Sequence, residues 1–214
     1  MPSIAVIDYG MGNLRSVSKA LEHVAPGHRV TVTQSGREIL EADRVVFPGQ
    51  GAIRDCMHEL HRLALIDVLR KAAETRPFLG ICLGPQALME CSEENGGIDG
   101  LGIMPGKVMW FGDMLRDSST GFRAKIPHMG WNRVHQTIIH PLWQDIAQES
   151  WFYFVHSYYL QPPSVETVAG QTDYGFKFTS VIARENVFAV QFHPEKSAHA
   201  GLQLLANFAR WQPG

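Results

Sequence analysis

Cys82 stands between two glycines in Gly80-Ile81-Cys82-Leu83-Gly84, behind the apolar run Phe78 to Ile81 and ahead of the helical pattern Gln86 to Glu93. Strand, sharp turn and helix in that order describe a nucleophile elbow. Small residues two positions either side are needed because a side chain at Gly80 or Gly84 would collide with neighbouring backbone. The turn exposes the sulfur at the sheet edge beside a helix N-terminus, where the dipole and unpaired N–H groups favour a thiolate and a developing oxyanion. Alone, such a cysteine also reads as a small buried hydrophobe. A second segment, Gln191-Phe192-His193-Pro194-Glu195, ends another apolar strand. Pro194 biases His193 to extended geometry, and residues two apart on an extended segment point the same way. Glu195 can then hydrogen-bond one nitrogen of His193, fix its tautomer and stabilise its cation. Either segment alone has a plain structural reading; together they describe a cysteine nucleophile with an oriented base.

A third segment, Phe47-Pro48-Gly49-Gln50-Gly51-Ala52, closes a strand with glycines that let backbone N–H groups turn toward a ligand. It can add an oxyanion donor at Gln50 and Gly51 to that of Leu83. These pieces need a scaffold. Short apolar runs at Ile4 to Ile7, Val30 to Thr33, Val45 to Phe47 and Phe78 to Ile81 predict strands buried on both faces of a parallel sheet. Leu14, Val17, Leu21 and Val24 form one amphipathic helical stripe; Met57, Leu60, Ala64, Val68 and Ala72 form a second, longer one. After Gly96 the runs Lys107 to Phe111, Asn132 to His135, Trp151 to Tyr159, Thr167 to Gln171, Thr179 to Ala183 and Val187 to Phe192 predict mostly antiparallel strands. A last helix, roughly Ala198 to Arg210, carries Leu202, Leu205, Ala206 and Ala209 on one stripe. The fold class is α/β with a mixed sheet, and no repeat or linker divides residues 1–214, which predicts one domain.

Of 214 residues, 45% are hydrophobic, which suits a globular chain with a sizeable core. A net charge of −2 without basic runs argues against nucleic acid and anionic membranes as general partners. Three irregularly spaced cysteines predict a reducing cytoplasm, and the first residues read as a strand, not a signal peptide. Cys56, His58 and His61 have ligand-like spacing but no second cluster to complete a zinc site. Arg15 stands where the third glycine of a dinucleotide fingerprint after Gly10 and Gly12 belongs. No metal or organic cofactor is implied.

The elbow with its Pro85 and Gln86, and the His193 segment, resemble the class I, triad-type glutamine amidotransferases. Ile7-Asp8-Tyr9-Gly10-Met11-Gly12-Asn13-Leu14-Arg15-Ser16-Val17, Pro127-His128-Met129-Gly130-Trp131-Asn132 and Tyr153-Phe154-Val155-His156-Ser157-Tyr158 resemble one branch, the glutaminase subunits of imidazole glycerol phosphate synthase in histidine biosynthesis. The resemblance runs from residue 4 to about 208. It implies a flavodoxin-like core with a largely parallel central sheet, flanking helices and an antiparallel extension. It implies hydrolysis of L-glutamine to glutamate and ammonia through a thioester on Cys82, with His193 as base then acid, oriented by Glu195. Substrate contacts carry over to Gly49, Gln86, Glu94, His156 and Ser157, and the oxyanion hole to Gln50, Gly51 and Leu83. It further implies a heterodimer with a (β/α)₈-barrel cyclase subunit that consumes the ammonia in a closed passage, with Asn13, Met129, Trp131, Tyr153 and Lys196 at the interface. Pro85 and Gln50 depart from the Met and Val common in the family. The residues by themselves leave open an autonomous cysteine hydrolase of γ-glutamyl or peptide substrates, a non-catalytic assembly module, and a paralogue serving another barrel-fold acceptor.

Overall fold

The structure is a computed structural model that describes residues 1–112, 115–116, 121 and 124–213. Its first half runs β1 (Ser3–Ile7), α1 (Leu14–Val24), β2 (Arg29–Thr33), α2 (Gly36–Glu41), β3 (Arg44–Gly49), α3 (Ile53–Arg62), α4 (Ile66–Thr75), β4 (Phe78–Cys82) and α5 (Leu83–Leu88). Strands β2, β1, β3 and β4 lie side by side in parallel. Alternate residues of β1 feed two cores: Ile4 and Val6 pack with Val17 and Leu21 of α1, while Ala5 and Ile7 pack with Ile39, Leu60 and Leu69 of the helices on the other face. Helices on both faces explain why β1, β3 and β4 are continuously apolar; β2, expected to be buried on both faces, is instead the sheet edge, alternates Val with Thr and leaves Val32 exposed.

The longer stripe over residues 57–72 is two helices, not one. Helix α3 stops because Ala64 takes a left-handed φ of 54° and the chain closes a Schellman pair, Leu65 N–H to Leu60 C=O at 2.9 Å and Ala64 N–H to His61 C=O at 3.0 Å. Glycine usually holds that position, so an alanine there gave no stop signal. The helix expected over Gln86 to Glu93 is likewise cut short. The N–H groups of Leu101, Gly102, Ile103 and Met104 bond the carbonyls of Ala87, Met89 and Leu88, and the chain turns extended at Met89.

The second half adds β5 (Cys91–Ser92), β6 (Ile98–Asp99), β7 (Lys107–Trp110), β8 (His128–Gln136), β9 (Ser150–His156), β10 (Tyr158–Gln161), β11 (Val168–Asp173), β12 (Lys177–Arg184), β13 (Val187–Val190) and α6 (Ala198–Arg210). Most pairings are antiparallel, but β13 returns to the first half and pairs in parallel with β4, Val190 opposite Ile81. That register sets the ends of β4 and β13 side by side. The run Trp151 to Tyr159, expected as one strand, breaks at Ser157, because β9 pairs with β8 whereas β10 pairs with β7 and β12. Helix α6 buries Gly201, Leu204, Leu205, Phe208 and Ala209, so its inward stripe is rotated from the expected one and leaves Leu202 and Ala206 at the margin. Its C-terminus is clamped by the buried Arg44, whose Nε and Nη2 donate to the carbonyls of Phe208 and Trp211 at 3.1 and 2.8 Å. Among the described residues no helix is long and apolar enough to cross a membrane.

Candidate active site

Strand β4 ends at Cys82 and α5 begins at Leu83, so Cys82 makes the whole turn, at φ 57° and ψ −90°. A left-handed backbone at a residue other than glycine stores about 1–2 kcal/mol of strain that the surroundings must hold in place. A Cβ on Gly84 would strike the Phe47 carbonyl oxygen, and one on Gly80 would come 2.9 Å from the Ala189 Cβ. Both glycines are therefore required where the sequence has them. Pro85 lies in the first turn of α5, where a missing N–H removes no intrahelical bond. From β13's end the fully buried Gln191 donates from Nε2 to the Cys82 carbonyl at 3.1 Å and accepts from Gln86 Nε2 at 3.0 Å. The Cys82 thiol faces the Val155 carbonyl oxygen at 3.8 Å. Cys56, by contrast, is fully buried, and burial pushes its thiol up to about 12. His58 and His61 lie exposed on the same helix, facing away from it.

His193 is extended, as expected from Pro194, but Glu195 follows on a 3₁₀ turn over Pro194–Lys196, not on an extended segment. The turn still brings Glu195 Oε1 to 2.9 Å from His193 Nδ1, with both side chains almost fully buried. The other carboxylate oxygen of Glu195 has no hydrogen-bond partner among the described residues. Burial lowers the pKa of His193, but Cys82 and Glu195 on its two sides outweigh that and raise it to about 10. The His193 backbone is pinned to β9: its N–H donates to the Tyr153 carbonyl at 2.9 Å. The Ser197 hydroxyl donates to the His193 carbonyl at 2.6 Å and accepts from the Tyr153 N–H at 2.9 Å.

These side chains open on a cavity of about 350 Å³ walled by Gln50, Gly51, Cys82, Leu83, Gln86, Glu94, Pro127, Val155, His156, Ser157, Tyr158, His193 and Lys196. Of the sequence-derived triad Cys82 and His193 meet there, with Glu195 behind His193 and off the wall; the three oxyanion positions and four of the five substrate positions also line it, and Gly49 lies beneath, opposite Cys82 in the β3–β4 register. Glu94 also holds a helix end: its Oε2 accepts the Ile53 N–H at 2.9 Å and caps α3, whose N-cap residue Ala52 offers no side-chain cap. The His156 ring is occupied at both nitrogens, by the Tyr158 carbonyl and by His128. Of the interface positions, Lys196 lines the cavity, Asn13 caps α1 through Ser16 N–H, and Met129 and Trp131 stand 61% and 49% exposed on the outer face of β8. The Tyr153 ring lies 6.1 Å from that of Trp131.

Gln191, His128 and Ser197 carry hydrogen bonds that no spacing argument singled out. The only local signal for Gln191 is an amide inside a run otherwise buried and apolar.

Fold and site fit an amidotransferase, and the chain belongs to the class-I glutamine amidotransferase family, whose model matches residues 5–211. It is 57% identical over 213 residues to imidazole glycerol phosphate synthase subunit HisH of Aromatoleum aromaticum, with all of both chains covered. To the Nitrosococcus oceani HisH it is 61% identical over 211 residues, covering 99% of this chain and 98% of that one. Within the class it falls in the HisH group, the glutaminase subunits of imidazole glycerol phosphate synthase in histidine biosynthesis. The same fold recurs at 14% identity in a solved glutamine amidotransferase, with a TM-score of 0.70 over 97% of this chain and 99% of the other. At 18% identity it recurs in the glutaminase domain of Trypanosoma brucei CTPS, with a TM-score of 0.63 over 100% and 96%.

Proposed function

We propose that glutamine is cleaved at Cys82 with His193 as proton carrier and Glu195 as its orienting carboxylate. The observation that carries this reading is the meeting of the β4 and β13 ends, with a strained cysteine and an imidazole on the wall of one cavity and a buried carboxylate behind the imidazole. His193, raised to about 10 with Cys82 and Glu195 on its two sides, carries a proton at neutral pH that it can hand on. The thiolate adds to the side-chain amide carbon, and the oxyanion so formed points at the first-turn N–H of Leu83 and the Gln50–Gly51 turn. His193 delivers its proton to the amide nitrogen, the C–N bond breaks, and ammonia leaves a γ-glutamyl thioester. Water then attacks the thioester while His193 takes its proton; the C–S bond breaks, releasing glutamate and restoring the thiolate. Gln86, Glu94 and Ser157 seat the amino-acid end, the Glu94 carboxylate suiting the ammonium.

As a HisH-type subunit the chain works in an assembly. The barrel cyclase implied by the resemblance would dock over Asn13, Met129, Trp131, Tyr153 and Lys196. Support comes from the exposed apolar side chains on β8 and from the backbone link between Tyr153 and His193. Ammonia is mostly protonated at neutral pH, so a closed passage between the subunits keeps it nucleophilic. The three free cysteines fit a reducing cytoplasm, and residues 1–214 read as one folding unit.

The test is steady-state glutamine hydrolysis by the chain alone, then with a cyclase subunit and its imidazole-ribonucleotide substrate, beside Cys82→Ala. Strong activation only in the full mixture, with no turnover by a folded, partner-binding Cys82→Ala, is the expected result. Equal rates with and without the cyclase would point to an autonomous hydrolase, and turnover by Cys82→Ala would remove the nucleophile assignment.

A further inference from the structure

Ser157 sits at the corner where the chain leaves β8's side at His156 and joins β7 and β12 at Tyr158. The residues of this corner face Cys82 across the cavity: Val155 meets the sulfur, and Ser157 lines the wall with a hydroxyl that makes no hydrogen bond among the described residues. The corner between the two pairings keeps one backbone bond, from the Phe111 N–H to the Ser157 carbonyl at 3.3 Å, so more is needed to fix it.

A buried chain of hydrogen bonds does so, and its protons can be assigned. The Tyr158 carbonyl only accepts, so His156 Nδ1, 2.7 Å away, carries a proton and donates. A neutral His156 then presents Nε2 as an acceptor, and His128 Nδ1, 2.8 Å away, must donate to it. His128 Nε2 is left to accept from the Asn132 amide at 3.2 Å, and the same amide nitrogen donates to the Asp173 carbonyl at 2.8 Å. The two imidazoles are wedged among aromatic rings, His128 stacked 4.1 Å from Tyr174 and 4.8 Å from Phe154. Protonating either ring would set donor against donor. Burial agrees, lowering His128 to about 4 and His156 to about 3. With both nitrogens engaged, the His156 ring has no proton to offer a substrate.

We propose that His128, acting through His156, is a positioning residue that locks the Ser157 corner and so sets how glutamine is seated opposite Cys82. The proposal rests on the site reading given above. Without the His128 donor, His156 Nε2 is a buried acceptor with no partner. The ring then gains by moving its proton to the other nitrogen or turning away, and either change takes the short bond from the Tyr158 carbonyl, leaving it only the Gln86 amide at 3.5 Å. Because the displaced wall touches the amino-acid end and not the reacting proton carrier, binding suffers more than chemistry.

The experiment uses the full chain with its cyclase subunit bound. His128→Phe keeps a stacking ring but no donor; His128→Asn places an amide N–H where Nδ1–H was. The expected result is a KM for glutamine raised about ten-fold or more in His128→Phe, with kcat within about three-fold and near-wild-type values in His128→Asn. Alkylation of Cys82 by iodoacetamide, which needs no glutamine seat, should proceed at an unchanged rate. An unchanged KM in His128→Phe, an equal rise in both variants, or a fall in kcat alone would overturn the proposal. If His128→Phe fails to fold, ¹⁵N NMR of the wild-type imidazoles decides: a His156 proton on Nε2 is incompatible with the proposal, and one on Nδ1 upholds it. Turnover that survives complete alkylation of wild-type Cys82 would instead defeat the site reading.

Discussion

The two halves of the molecule contribute to one cavity by different physical means. The parallel half, β1 to β4 with their helices, places its groups by backbone alone: Cys82 and Gly49 are the last paired residues of β4 and β3, with Gln50 and Gly51 next along, and glycines remove the side chains that would obstruct them. The antiparallel half places its groups with side-chain hydrogen bonds. His193 is held through Ser197, and the Ser157 corner through His156 and His128. Backbone placement is insensitive to protonation and sensitive to volume; side-chain placement is the reverse.

Acid separates the halves most sharply. Unfolded histidines take up protons near pH 6.5, whereas His128 and His156 in the fold do so only near 4 and 3, so their neutral forms stabilise the fold fully above pH 6.5. As pH falls from 6.5 toward 4, that contribution is lost with a slope of about 3 kcal/mol per pH unit for the pair. Urea titrations across this range should show the slope, and hydrogen exchange at pH 4.5 should show amides of β8 to β10 opening before those of β1 and β3. Simultaneous opening would mean the halves are not separately held.

A change of volume should act on the other half. Gly84→Ala drives a methyl group into the Phe47 carbonyl; it should cost about 3 kcal/mol, measured by denaturation, and lose most turnover as the elbow shifts. A smaller effect is expected of Ser197→Ala, which frees the Tyr153 N–H and the His193 carbonyl: about 2 kcal/mol of stability and about ten-fold in kcat, with the KM for glutamine little changed. If Ser197→Ala raised KM instead, the clamp would be acting on substrate and not on the base.

The same division governs what could be read in the sequence. Strands β1 to β4, the elbow and the two glycines were legible because apolar runs and turn chemistry are local. His193 and Glu195 were legible as a pair, though by a different turn from the extended one expected. The break at Ala64 was not, since the left-handed residue there is an alanine. Nor was the short α5, whose end is set by backbone N–H groups from residues 101–104. Gln191, His128 and Ser197 act on partners far along the chain, such as Cys82, His156 and Tyr153. No window of sequence contains both ends of those bonds.

The place of β13 also orders events in time. A chain emerging from the ribosome can complete β1 to β4 and α5, and so form the elbow, while more than a hundred residues are still unmade. At that stage β4 ends in a bare edge, and the cysteine beside it has neither acid nor base. The strand that closes the edge is the one that leads directly into His193 and Glu195. Under the proposed mechanism, completion of the sheet and acquisition of the proton carrier are a single step, and an unfinished chain is chemically idle however well its elbow is formed.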